Sequence, residues 1–291
     1  MTAPNPSVAL LTDLYELTMA QSYFEKEMNE QAFFEVFIRN FPRDWGFCVM
    51  AGLQELSGAL KAFRFTASDI EYLRETGTFT EDFLVYLSDM ELDISVRAIP
   101  EGTFFFQDEP VLEVGGPLIH SQIIETLVLN VIGFSIIAAT VSTRMKYAAK
   151  GAALVDFGMR RAQGPVAALR AARGAQMAGF AATSNLSAAR QLKFRSSGTM
   201  AHSYIQAHEN EEKACLDFSR LYGDQTILLV DTCYGREGIR KAARAAAALE
   251  GESGVRIKGI RIDSGDLEEL SKYARQYFDE QQLAYLHIFV S

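Results

Sequence analysis

The stretch SSGTMAHSY, residues 196–204, sets a histidine behind a run of small residues in a chain that has only four histidines among 291 residues. Small side chains let a backbone approach a ligand closely and offer its N–H groups to phosphate oxygens. A neutral imidazole is also a nucleophile near pH 7. His202 therefore has two readings: a histidine satisfied by its neighbours, or one that takes part in chemistry. The residues Asp156-Phe157-Gly158-Met159-Arg160-Arg161, Ser184-Asn185, Asp231-Thr232, Arg261 and Asp263-Ser264-Gly265-Asp266 share one property with it, since each ends a short apolar run. Arginine pairs bidentately with phosphate and carboxylate, and carboxylates can organise Mg²⁺ or hydroxyls. Each group also has a plainer reading. Asp263–Asp266 is equally a turn with a helix cap, Arg160 and Arg161 a solvated pair, and Phe157 a core residue. Only their joint placement favours chemistry.

The elements that must position these groups change texture along the chain. In TDLYELTMAQSYFEKEM a helix begins near Thr12–Asp13, and Asp13 with Glu16 matches the spacing of a capping box. AFFEVFIRN (32–40) fits a strand, helices are expected at 51–63 and 80–89, and 94–114 reads as strands broken by turns. Beyond a helix at 122–149, apolar runs alternate with helical stretches. The runs are ALVDFG (153–158), GFAATS (179–184), SGTMAH (197–202), ILLVDT (227–232), GIRIDS (259–264) and HIFVS (287–291). In the last helical stretch Leu267, Leu270, Tyr273, Ala274 and Tyr277 share a face. Strands alternating with helices mean parallel βαβ units, whose reactive groups lie at the carboxyl ends of the strands. The expected organisation is α/β: an N-terminal α+β domain over 1–125, then a (β/α) barrel over 126–291. A closed barrel uses about eight strands, so stopping after the sixth reads as an incomplete barrel. An open doubly wound sheet is the alternative.

Composition narrows the function classes. There are 37 acidic and 28 basic residues, which argues against a nucleic-acid surface or a polybasic membrane patch. Three scattered cysteines, Cys48, Cys215 and Cys233, form no CxxC and suit reduced thiols. The N-terminus lacks the basic start and long apolar core of a signal peptide, so a cytoplasmic protein is the default. The uncharged segment TLVLNVIGFSIIAATV (126–141) falls short of the about 20 residues that span a bilayer and is read as a buried helix. The chain contains no GxGxxG, P-loop, GxSxG or HExxH motif.

Taken in order, TDLYELTMAQSYF (12–24), DFGMRRAQG (156–164), SGTMAHSYIQA (197–207), LLVDT (228–232) and GIRIDSGDL (259–267) resemble nicotinate phosphoribosyltransferases. The resemblance implies an irregular barrel of the type II phosphoribosyltransferase kind. It implies the joining of nicotinate to 5-phosphoribosyl 1-diphosphate, giving nicotinate mononucleotide and diphosphate for NAD synthesis. ATP hydrolysis would be coupled to that transfer through phosphorylation of His202, with Mg²⁺ present. Tyr15 and Phe157 would sandwich the pyridine ring, Tyr15 reaching into a partner's site in a homodimer. Thr199 and Arg261 would hold nicotinate, Arg160 phosphate, and Asp263 the ribose hydroxyls or the Mg²⁺-diphosphate. The family's remaining strands, with a glycine-rich phosphate loop, would lie beyond Ser291. The chain departs from the pattern at Arg195-Ser196-Ser197, at His208 and at Cys233-Tyr234-Gly235. A nicotinamide-specific enzyme and a non-catalytic remnant that dimerises or binds nucleotide are the competing expectations.

Overall fold

A computed structural model describes residues 7–232 and 235–291; Cys233 and Tyr234 lie outside the described residues. By contacts the chain divides into two units, Met1–Ser197 and Gly198–Ser291.

Unit 1 begins with α1 (Leu14–Glu25), β1 (Gln31–Val36) and β2 (Cys48–Val49). Three helices follow: α2 (Leu53–Ala62), α3 (Ala67–Glu75) and α4 (Glu81–Asp89). Next come β3 (Ser95–Ala98), β4 (Phe104–Phe105), β5 (Leu112–Pro117), α5 (Leu118–Gln122) and the long α6 (Glu125–Ala148). β6 (Val155–Asp156), α7 (Pro165–Met177), β7 (Ala182–Thr183) and α8 (Leu186–Leu192) complete it. The antiparallel sheet runs β1-β5-β3, with Phe34 opposite Val114 and Val96 opposite the same residue. Phe83, Phe105, Met50, Leu112 and Ile132 form the centre of its core.

The spacing expected to cap α1 serves another helix. Asp13 makes no side-chain cap, although it is the N-cap residue of α1. Glu16 is fully buried, and its Oε1 accepts the Thr126 N–H at 2.9 Å at the start of α6. The Thr126 hydroxyl lies 2.7 Å from Asp13 Oδ2 and 2.6 Å from Glu16 Oε1. The N-terminus of α6 lacks a capping side chain of its own, so a tertiary partner supplies the missing acceptor. Burial pushes the Glu16 carboxyl above its ordinary value, against the hydrogen bonds from Thr12 and Thr126.

α6 is long and apolar enough to cross a membrane by length and composition alone. In this protein one face packs inward, burying Val128, Val131, Ile132, Ser135, Ile136 and Ala139, while Leu129, Ile137, Val141 and Met145 are exposed. α7 lies against it at close range, because a Cβ on Gly174 would come within 2.9 Å of the backbone at Ala138 and Ala139. Arg173 of α7 then reaches Glu101 at 2.6 Å and Glu55 at 3.0 Å. Glu101 in turn accepts the Gly52 and Leu53 N–H groups at the start of α2.

His120 on α5 is buried and has a fixed role. Its Nδ1 accepts the Asp93 N–H at 3.0 Å, so the proton sits on Nε2, 3.1 Å from the Tyr86 hydroxyl. Burial holds its pKa below the usual value, opposed by Asp93. As pH falls through the ordinary histidine range of about 6.5, the unfolded chain gains a proton that folded His120 refuses. Stability is therefore lost from that point down to the folded pKa. Urea midpoints at pH 7.5 and 5.5 should draw closer together in His120→Gln than in the parent chain.

Unit 2 contains α9 (His202–Gln206), α10 (Glu211–Tyr222), β8 (Ile227–Leu229), α11 (Gly235–Ser253), β9 (Gly259–Ile262), α12 (Leu267–Glu280) and β10 (His287–Val290). Its sheet is parallel in the order β10-β9-β8, with Arg261 opposite Leu229 and Phe289. β8 is buried throughout, as are Ile260 and Ile262 of β9. α12 packs Ala274 and Phe278 into the core beside Leu267, Leu270, Tyr273 and Tyr277.

The fold is α/β, and the described residues form no closed barrel. Five of the six expected runs contain strands. The sixth, SGTMAH, does not: pairing stops at an isolated bridge between Thr183 and Ser196. Ser197 and Gly198 offer little side chain for a sheet face to bury, and His202 opens a short helix instead of ending a strand.

Candidate functional site

The carboxyl ends of β8, β9 and β10 lie side by side because the three strands are parallel and in register. Their apolar bodies give way there to Asp231-Thr232, Asp263-Ser264 and Ser291. His202 joins this rim from the start of α9, which packs on α10. Its Nδ1 is 3.1 Å from Thr232 Oγ1 and its Nε2 is 3.4 Å from Asp263 Oδ2. The side chain is 40% exposed, so a ligand can reach it.

Asp263 is the hub of the rim. Ser291 donates its hydroxyl to Oδ1, and Arg261 Nη2 lies 3.5 Å from Oδ2. The Ser291 hydroxyl, then Arg261 and His202, hold the carboxyl below its ordinary value against partial burial. Arg261 is only 12% exposed, and its Nη1 donates to Thr199 Oγ1 at 2.5 Å. Thr199 in turn donates its hydroxyl to the Met200 carbonyl at 3.1 Å. The turn after β9 is pinned by Asp231, whose Oδ2 accepts the Asp263 N–H at 3.0 Å and the Ser264 hydroxyl at 2.5 Å. Asp231 Oδ1 is buried and has no hydrogen-bond partner among the described residues. The two readings of Asp263–Asp266 divide between the residues: Asp266 caps α12 through the Glu269 N–H at 2.9 Å, and Asp263 faces the rim.

Four of the residues singled out from the sequence, Thr199, His202, Arg261 and Asp263, are thus brought together in unit 2. Phe157, Arg160 and Tyr15 belong to unit 1. Phe157 is half-buried at the end of β6, and Arg160 is exposed on the 3₁₀ turn Gly158–Arg161 that follows. Neither Arg160 nor Arg161 makes an ion pair among the described residues. Tyr15 stands on α1, which packs on α5, whereas the turn bearing Arg160 packs on α7. Tyr15 is 47% exposed, and partial burial with the Glu125 and Glu16 carboxylates pushes its phenol up to about 12. Cys48 and Cys215 are free and buried, and burial with Glu211 and Glu212 pushes the Cys215 thiol up to about 12. Among the described residues no group of three or more His, Cys, Asp or Glu could hold a metal ion.

Sequence reasoning placed Asp231-Thr232 at a strand end without giving either residue a role of its own, and it did not single out Ser291. Ser291 carried a signal, since it ends an apolar run as the other rim residues do. Chemically the rim offers a nucleophile, a carboxylate beside it, and an oriented guanidinium for an anionic group.

The N-terminal domain model of the nicotinate phosphoribosyltransferase family matches residues 10–133, and the nicotinate phosphoribosyltransferase family model matches 152–288. A nicotinate phosphoribosyltransferase of Mycobacterium tuberculosis is 44% identical over 97% of this chain and 60% of its own length. One from Bacillus subtilis is 39% identical over 94% of this chain and 56% of its own. The chain thus spans about three fifths of the length of these curated relatives. Among solved structures, human nicotinic acid phosphoribosyltransferase superposes with a TM-score of 0.83 at 27% identity, covering 96% of this chain and 67% of that one. A nicotinate-nucleotide pyrophosphorylase from Pyrococcus furiosus shares the fold, with a TM-score of 0.80 at 24% identity over all of this chain and 68% of that one.

Proposed function

We propose, from the premise that the chain belongs to the nicotinate phosphoribosyltransferase family, that it serves ATP-coupled synthesis of nicotinate mononucleotide. The reaction joins nicotinate to 5-phosphoribosyl 1-diphosphate and belongs to NAD biosynthesis. The observation that carries this reading is the contact of His202 with Thr232 and Asp263 on the rim that also holds Arg261 and Thr199.

The chemistry follows from the side chains. Asp263 beside Nε2 favours the imidazole proton there, leaving the lone pair on Nδ1. That nitrogen attacks the γ-phosphorus of ATP; an N–P bond forms, the P–O bond breaks, and ADP leaves. In the transfer step the nicotinate ring nitrogen bonds to the ribose anomeric carbon as its bond to the diphosphate oxygen breaks. The electron pair leaves with diphosphate through an oxocarbenium-like transition state. Arg261, held rigid by Thr199 and Asp263, meets the nicotinate carboxylate, and Arg160 is free to take phosphate. Phe157 and a partner subunit's copy of the Tyr15 phenol would cover the two faces of the pyridine ring, which makes the working form a homodimer. Water later hydrolyses the phosphohistidine and completes the coupling.

Mg²⁺ suits this rim. It keeps several waters and is bound through one or two carboxylates plus substrate phosphates, so the absence of a three-ligand cluster among the described residues does not oppose it. Asp231, whose buried Oδ1 has no partner among the described residues, and Asp263 would hold it. Held by these carboxylates, the ion would supply positive charge beside the departing diphosphate.

Competition between nicotinate and nicotinamide for turnover tests the substrate. Nicotinate should be preferred, and Arg261→Gln should reduce that preference about tenfold or more, as expected for losing a charged hydrogen bond. Equal rates with the two pyridines in the parent chain would overturn the assignment.

A further inference from the structure

Phe157 lies between Asp156, whose backbone is tied to the segment ending β7, and Gly158, whose N–H is tied to the Asp156 side chain. β6 and β7 are parallel, with Asp156 opposite Thr183. The Asp156 carbonyl accepts the Ser184 N–H at 2.7 Å. Its side chain uses both oxygens: Oδ1 accepts the Gly158 N–H at 2.9 Å, bridging across Phe157, and Oδ2 accepts the Thr183 hydroxyl at 2.7 Å. Thr183 is fully buried and has no slack. Its Oγ1 accepts the Asn185 N–H at 3.0 Å, its backbone N–H meets the Arg195 carbonyl, and its carbonyl accepts the Ser197 N–H. Asn185 is 2% exposed and caps α8 through the Ala188 N–H at 3.1 Å. The turn carrying Phe157 is therefore fastened, through one carboxylate and one hydroxyl, to a buried network of polar groups with their partners in place.

We propose that Asp156 and Thr183 are the positioning residues that present the Phe157 ring to the pyridine. The inference rests on the reading of Phe157 as a stacking face for that ring. A turn that must be ordered when its ligand binds costs conformational entropy and weakens affinity. The carboxylate fixes the backbone on both sides of Phe157, so the turn that carries the ring is set before the ligand arrives. The latch closes on the residues either side of Phe157, so nicotinate should feel its loss more than the phosphoribosyl donor, which Arg160 farther along the same turn would meet.

Thr183→Val removes the hydroxyl donor with little change of shape, and Thr183→Ser keeps it. Binding of nicotinate and of 5-phosphoribosyl 1-diphosphate would be followed separately by titration calorimetry. Thr183→Val should weaken nicotinate binding about tenfold, the scale of a lost hydrogen bond to a charged group, and weaken binding of the phosphoribosyl donor clearly less. Thr183→Ser should restore nicotinate binding. Asp156→Ala is the second variant, with the same expectation, should Thr183→Val fail to fold. Equal loss for both ligands, or no loss for nicotinate, overturns the latch. Phe157→Leu separates the two failures. If it weakens nicotinate while Thr183→Val does not, stacking stands and the latch falls. If it changes nothing, the stacking reading falls and the latch with it.

Discussion

Replacing His202 with alanine is expected to abolish the phosphoryl-enzyme and to lower ATP-coupled turnover at least about a hundredfold, the scale of losing a positioned acid–base or nucleophilic group. The expectation is specific because the other histidines cannot substitute. His120 is buried in unit 1 with both nitrogens engaged. His208 has Nδ1 tied to the Tyr204 carbonyl at 2.8 Å. His287 begins β10, at the end of the sheet opposite the rim. Labelled ATP should leave an acid-labile phosphate on the parent chain and none on His202→Ala. A label that persists in the variant would place the acceptor elsewhere. Asp263→Asn should slow labelling without removing it, because it takes away the carboxylate charge beside Nε2 and keeps the nucleophile.

Gly238→Ala should be the most damaging small substitution in unit 2. Gly238 lies in the first turns of α11, where a Cβ would fall 1.8 Å from the Val230 carbonyl oxygen and 2.7 Å from its carbon. Backbone cannot yield as a side-chain tip can, so α11 must lift from β8. Overpacking a core costs about 1–3 kcal/mol and sometimes more, and this contact belongs at or above the top of that range. The effect reaches the site directly, since Asp231 and Thr232 follow Val230 and carry the contacts to Asp263, Ser264 and His202. Denaturant unfolding followed by circular dichroism should show a midpoint well below the parent's. An unchanged midpoint would mean that α11 does not approach β8 as described.

Much of this architecture was legible in the sequence, because period and placement are local signals. The apolar run ILLVDT becomes buried β8 with its polar tail on the rim, and the apolar face of the last helix packs as its spacing implies. What could not be read depends on partners distant in sequence. Asp13 and Glu16 have capping spacing, yet they serve α6 because Thr126 is brought beside them. SGTMAH has the length of a strand, but Ser197 and Gly198 offer little side chain to bury and pairing stops at Ser196. Thr183 reads as an unremarkable strand residue until the β6–β7 register sets it against Asp156. Likewise Ser291 contacts Asp263 only because β9 and β10 run parallel and end together.

The central claim is that the rim around His202 serves ribosyl transfer to nicotinate driven by ATP. Incubation of the purified chain with nicotinate, 5-phosphoribosyl 1-diphosphate, ATP and Mg²⁺, with nicotinate mononucleotide and ADP quantified together, tests it most directly. The account predicts that both products form, that nicotinate mononucleotide formation falls when ATP is withheld, and that Asp263→Ala suppresses both. Formation of nicotinate mononucleotide at the same rate with and without ATP, or in the Asp263→Ala variant at the parent rate, would contradict it.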